Sequence, residues 1–178
     1  MTTTPAPVIS EAYRKQQQAL HLNPNYGVAS IGFASVVAQV LSRNGATTLS
    51  DYGAGKQNLR KALEAYGVEV GYTAYDPAFP EYGEPQPADL VCCIDVLEHI
   101  EPEYLDNVLS DLERITVRHG FFSVHTGPAG KVLSDGRNAH LIQEPIAWWR
   151  ERLERHFAIE HLVEAPGGFF VIATPRPR

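Results

Sequence analysis

The apolar residues of the chain change spacing along its length, and each change predicts an element. From Ser10, a residue suited to cap a helix, a first helix runs to about Leu22 and is broken by Asn23, Pro24 and Asn25. Val28, Ile31, Val36, Val37 and Val40 give an apolar side to a second helix, expected over Gly27 to Ser42 and ended by Asn44–Gly45. Leu49 and Tyr52 read as the end of a buried strand, Gly53 and Gly55 as a tight turn, and Leu59, Ala62, Leu63 and Tyr66 fall at helical spacing. Gly67 stops that helix, after which Val68, Val70, Tyr72 and Ala74 alternate toward a second strand that ends in Tyr75–Asp76. Pro77–Pro87 holds four prolines and a glycine, so it predicts a loop.

The second half alternates in the same way. Ala88–Asp95 is a near-continuous apolar run bounded by acids, the pattern of a central parallel strand buried on both faces. Pro102 stands at a helix start, with Leu105, Val108, Leu109, Leu112 and Ile115 as its stripe; His119–Gly120 should end it and Phe121–Val124 form the next strand. His125–Leu141 is polar, glycine-rich and long for a connection, which marks a functional loop above the sheet. Pro145 opens a helix that turns Ile146, Trp149 and Leu153 inward, and Phe157–Val163 and Phe169–Ala173 are strands joined by the turn APGG. A connection that short joins only antiparallel neighbours, so the last strand runs against an otherwise parallel sheet.

At 178 residues with 44% hydrophobic composition, the chain fits one domain with a full core. We expect N-terminal helices over 1–45, a core over 46–174 and a loose tail over 175–178. No apolar run approaches the roughly 20 residues that a membrane-spanning helix needs. The start, MTTTPAPVIS, is polar and disordered-looking and lacks the pattern of a secretory signal; Cys92 and Cys93, adjacent in an apolar run, read as buried thiols. Both point to the cytoplasm. A formal charge of −6 gives no general attraction for nucleic acid.

The glycine turn between strand and helix is a nucleotide-cradling arrangement, because it brings bare backbone and free helix N–H groups to a ligand. Asp51 at the strand end suits a cationic or hydroxyl-rich ligand and would repel a pyrophosphate. Asp76, some twenty residues on, is placed to accept ribose hydroxyls. The break NPNYGVAS lies where it can fold over the glycine loop, and Tyr26 within it either contacts the ligand or packs on the helix. His99, His125 and His140 all fall near one sheet edge and are candidate bases, since imidazole titrates near neutral pH. A second grouping joins Asp95, Glu98, His99 and His140 as oxygen and nitrogen ligands of a divalent ion, with D-x-x-E-H on a single turn.

The stretch DYGAGKQN resembles motif I of the class I S-adenosylmethionine-dependent methyltransferases, D/E-x-G-x-G-x-G, with Gln57 in place of the third glycine. DLVCCIDVLEHIEPEYLDNVLSDLERI resembles the fourth-motif region of small-molecule O- and C-methyltransferases, so that the resemblance covers about Leu49–His125. It implies a three-layer α/β/α Rossmann-like methyltransferase fold, mostly parallel with an antiparallel last strand, and with the usual third-strand region reduced or missing. It also implies S-adenosylmethionine as cofactor, with Tyr26, Asp51, Gly53, Gly55, Asp76 and Asp95 as the expected contacts. D-x-x-E-H followed by His140 looks like the E-x-x-E-H metal motif of small-RNA terminal 2′-O-methyltransferases and of some quinone-pathway O-methyltransferases, with Asp95 as the first acid. The expected activity is methyl transfer to a hydroxyl or similar group of a small molecule. Two alternatives are metal-assisted methylation of a nucleotide or RNA end, and a cofactor-binding interaction module without turnover.

Overall fold

A computed structural model of the chain describes residues 6–177. The disordered start expected at Met1–Pro5, and Arg178 of the expected tail, lie outside the described residues. The elements in chain order are α1 (Glu11–Leu20), α2 (Ala29–Asn44), β1 (Thr48–Tyr52), α3 (Asn58–Ala65), β2 (Gly71–Tyr75), β3 (Ala88–Ile94), α4 (Leu105–Ile115), β4 (Thr116–His125), α5 (Ile146–His156), β5 (Phe157–Ala165) and β6 (Gly168–Pro175).

One six-stranded sheet has the order β2-β1-β3-β4-β6-β5. The pairs β1·β2, β1·β3 and β3·β4 are parallel, and β6 is antiparallel to both β4 and β5. The reversed last strand expected from APGG is therefore present. Between β2 and β3 the proline-rich segment forms only a short 3-10 turn, Pro80–Tyr82, so β2 is left as the edge where a third strand would pair.

Two cores sandwich the sheet. On one face α2 and α3 bury Val37, Leu41, Leu59 and Leu63 against Leu49, Leu90, Cys92 and Phe121. On the other, α4 and α5 bury Leu109, Leu112, Trp149 and Leu153 against Val91, Cys93, Phe122 and Val171. Cys92 and Cys93 are both fully buried and fall in opposite cores, as alternation along a strand requires. The three-layer arrangement follows from that alternation: β3 is apolar at nearly every position because both of its faces are covered.

Two boundaries depart from the sequence reading. Helix α4 ends at Ile115 and β4 begins at Thr116, well before His119–Gly120. Thr116 is buried, its hydroxyl donates to Leu112 O at 2.7 Å, and it pairs with Ala88, so the helix end and the strand start share one residue. Gly120 lies inside the strand, where the Phe122 ring covers it; a Cβ there would meet that ring at 2.3 Å. Within the expected tail, Pro175 and Arg176 have backbone partners. Thr174 and Pro175 pair with Ala158 and Phe157, and Arg176 donates through Nε to Glu154 O at 2.6 Å and through its backbone N–H to His156 O.

Candidate functional site

The carboxyl ends of β1, β2 and β3 open into a cavity of about 340 Å³, a size suited to a small organic ligand. Its floor is the turn after β1. Gly53 and Gly55 adopt φ of +81° and +51°, and Gly53 and Ala54 both donate to Tyr75 O, which fastens the turn to β2. Gln57 takes φ +57° at the N-cap of α3, a left-handed position that a third glycine would occupy without strain.

Asp76 is 8% exposed at the end of β2. Its Oδ2 accepts from Gly55 N at 2.9 Å and its Oδ1 from Ala78 N at 2.8 Å, so each oxygen keeps a lone pair for a ligand. Burial pushes its pKa up, against the pull of those two N–H groups. Asp51, 3% exposed, accepts the Tyr72 hydroxyl; burial raises its pKa to about 7, with the Asp76 charge adding to the rise. Asp95 caps β3 with φ +50°, where its backbone N–H donates to Ser123 Oγ and its Oδ1 accepts the Ser123 hydroxyl at 2.6 Å.

The segment between α1 and α2 folds over the glycine turn. Lys56 Nζ donates to Asn23 O at 2.6 Å and Asn58 Nδ2 to Gly27 O at 3.0 Å, joining the break to α3. Tyr26 lines the cavity while its hydroxyl donates to Gln17 Oε1 at 3.0 Å, so packing on α1 and facing the cavity are compatible. His21 is a cavity residue that the sequence reading missed. It sits 5.1 Å from the Tyr26 ring and 5.0 Å from Phe79, and a Cβ on Gly55 would meet it at 2.9 Å. Its Nδ1 is buried with no hydrogen-bond partner, and burial beside Lys56 lowers its pKa to about 4. No motif announces it, since a lone histidine at a helix end carries no pattern.

The three expected histidines do converge. His99 and His140 ring centroids are 4.7 Å apart, and His125 and His140 4.9 Å. His99 Nδ1 lies 2.8 Å from Ala139 O and His140 Nδ1 2.7 Å from Gly127 O; as carbonyls only accept, each Nδ1 carries the proton and each Nε2 keeps a lone pair. Burial, with His140 second, lowers the His99 pKa to about 4. Glu98 is wholly buried. Its Oε1 accepts the His125 N–H at 2.8 Å, its Oε2 has no partner, and burial with the nearby Asp95 raises its pKa to about 8.

Glu98, His99 and His140 each bring a donor atom within 4.8 Å of the others, and Asp95 is not among them. D-x-x-E-H does not form one turn: the 3-10 turn spans only Leu97–His99, and the left-handed backbone at Asp95 sends its carboxylate to Ser123 instead.

No protein-family profile matches the chain, and no curated protein resembles it in sequence. Solved structures do resemble it in shape. The 1,6-didemethyltoxoflavin-N1-methyltransferase of Burkholderia thailandensis, solved with 1,6-didemethyltoxoflavin and S-adenosylhomocysteine, superposes with a TM-score of 0.61 at 16% identity, over 97% of this chain and 92% of that one. An O-methyltransferase family protein from Burkholderia thailandensis gives 0.56 at 13% identity, over 93% of this chain. TnmH gives 0.60 at 12% identity, over 83% of this chain. The chain spans 59% of the length of that O-methyltransferase family protein and 55% of TnmH. No helix among the described residues is long and apolar enough to cross a membrane. The six-stranded sheet with its reversed penultimate neighbour, the glycine turn after β1 and these superpositions together give the chain the fold of the class I S-adenosylmethionine-dependent methyltransferases.

Proposed function

We propose that the chain binds S-adenosylmethionine in this cavity and is a methyltransferase acting on a hydroxyl or similar nucleophile of a small molecule. The observation that carries the reading is the lining of the cavity: three carboxylates at strand ends, Asp51, Asp76 and Asp95, share it with the clustered His99, His125 and His140. The residues present fit the cofactor. Gly53 and Gly55 leave bare backbone at the floor, Asp76 keeps lone pairs for ribose hydroxyls, and buried Asp51 and half-buried Asp95 favour a cationic ligand. His21, with an unpartnered Nδ1 above Gly55, is positioned to take part in holding it.

S-adenosylmethionine supplies a methyl group on a positively charged sulfur. The chain's own work is to hold the acceptor in line and take up its proton. His125 and His140 are suited to the proton, because both line the cavity and the Nδ1 contact of His140 with Gly127 O leaves Nε2 as the ring nitrogen that can accept one. The apolar neighbours Val8, Ile9 and Ile100 give the acceptor side a dry wall, which fits a small ring better than a polymer.

Titration calorimetry with S-adenosylhomocysteine tests the reading. Wild-type protein should bind one equivalent, and Asp76→Ala should weaken binding by about 1.5–3 kcal/mol, the scale of hydrogen bonds to a charged group. Unchanged affinity in that variant would take Asp76 out of the site; no saturable binding by wild-type protein would overturn the reading itself.

A further inference from the structure

We propose that Glu98, His99 and His140 form a binding site for one divalent first-row transition ion at the acceptor side of the cavity. The state of each donor carries this proposal. Glu98 is completely buried and its Oε2 has no partner, a condition that a native interior tolerates only where something else supplies the missing contact. The two imidazoles beside it each hold their Nδ1 proton against a backbone carbonyl, leaving Nε2 as an electron pair. Three potential donor groups thus lie within 4.8 Å of one another, and none is hydrogen-bonded to another. A cation larger than a proton satisfies all three at once, with modest side-chain rotation closing the set.

The surroundings are those a metal site requires. Ligating histidines generally donate their other ring N–H to a carbonyl or carboxylate, which fixes tautomer and ring orientation. Here Ala139 O and Gly127 O do so, and the His125 N–H holds Glu98 Oε1 at 2.8 Å, so every donor residue is anchored by backbone. The ligand positions are rigid too. His140 stands at the end of a loop that closes on itself, with Asn138 bridging Ala129 in both directions and Asn138 Oδ1 accepting the His140 N–H. Two imidazoles and one carboxylate match the three-ligand set of catalytic zinc and leave a coordination position open; they do not suit the all-oxygen shells of calcium or magnesium. His99 and His140 both line the cavity, so the open position faces it and would take a hydroxyl or water oxygen. The ion site rests on the methyltransferase reading only for what that oxygen belongs to. With two histidines engaged, His125 remains as the free base.

The test uses the full chain stripped with EDTA and titrated with Co²⁺ and with Zn²⁺ by calorimetry and visible absorption, each sample also being titrated with S-adenosylhomocysteine. One equivalent of Co²⁺ should bind and give the absorption bands of a mixed nitrogen and oxygen site. Glu98→Gln and His140→Gln should each weaken binding at least 10-fold, and Asp95→Asn should leave it unchanged. A wild-type protein that binds S-adenosylhomocysteine but neither ion would overturn the site, as would ion binding that survives both ligand variants. Loss in Asp95→Asn would overturn the three-residue assignment. Failure of the methyltransferase reading shows separately, as ion binding without S-adenosylhomocysteine binding.

Discussion

Gly53→Ala should cost the fold about 2–5 kcal/mol, a large effect for a single added methyl group. Two costs combine. At φ +81° an L side chain is strained, by about 1–2 kcal/mol for the left-handed region. The added Cβ would also lie 2.4 Å from Val96 Cγ2 and 3.0 Å from its Cγ1, and overpacking of that kind typically costs about 1–3 kcal/mol. Val96 is β-branched and stiff at χ1, so it has little freedom to turn aside. Urea unfolding of three variants separates the contributions. Gly67→Ala, at φ +71° with nothing within 4 Å, should show the conformational cost alone. Gly53→Ala should exceed it, and adding Val96→Ala should recover the steric part. Equal losses in Gly53→Ala and Gly67→Ala would mean that the glycine turn is not pressed against the segment after β3.

The metal-free, ligand-free protein should hold a level stability from about pH 4.5 to 6.5 and then lose about 2–3 kcal/mol by pH 8. Burial lifts Asp51 to about 7 and Glu98 to about 8, so both keep their protons in the folded state over a range where the unfolded chain has lost them. Stability from such groups falls as pH rises through that range toward the folded values. His21 and His99 act oppositely: lowered to about 4 by burial, they stay neutral when folded while the unfolded chain binds protons below about 6.5. Two histidines offset two acids until pH 6.5, after which only the acids remain, and Asp76, also raised, adds to the fall. Thermal unfolding at closely spaced pH values, after chelation, checks this. A curve that rises from pH 6.5 to 8 would show that Asp51 and Glu98 are ionised in the folded protein. A cation bound beside either acid removes the reason for the fall, so ligand-induced stabilisation should grow over the same interval.

The parts of the fold that the sequence made legible are those where one residue type has one physical use. The apolar run ADLVCCI reads as a doubly buried strand, and the prolines of Pro77–Pro87 forbid the regular elements whose place they take. Gly120 misleads for the same reason that it matters. A glycine after a helical stripe suggests a helix end, but here it makes room for the ring two residues on, which only the packed strand reveals. Asp95 misleads through its backbone, because a spacing argument assumes a continuous turn and the left-handed residue breaks it. The convergence of His99, His125 and His140 was legible from strand ends and loop position. The orphaned oxygen of Glu98 and the presence of His21 were not, since burial and vacancy are properties of neighbours that a linear pattern does not contain.

Helix α1 forms a roof over the cavity, with Tyr13 and Gln17 on its inner side and His21 just past its end. It spans ten residues, too few to persist as an isolated helix in water. What holds it is its attachment: Ser10 to Glu101, the Tyr13 hydroxyl to His99 O, Gln16 to Asp135 and Gln18 to Ala78 O. A roof of this kind cannot swing away intact. Once its contacts part it loses its helical form, so opening is a local melting transition and its rate is a folding rate. Passage of any ligand into or out of the cavity is then timed by the same event that amide hydrogen exchange reads along Tyr13–Leu20, and filling the cavity should slow that exchange by the factor by which it stabilises the closed state.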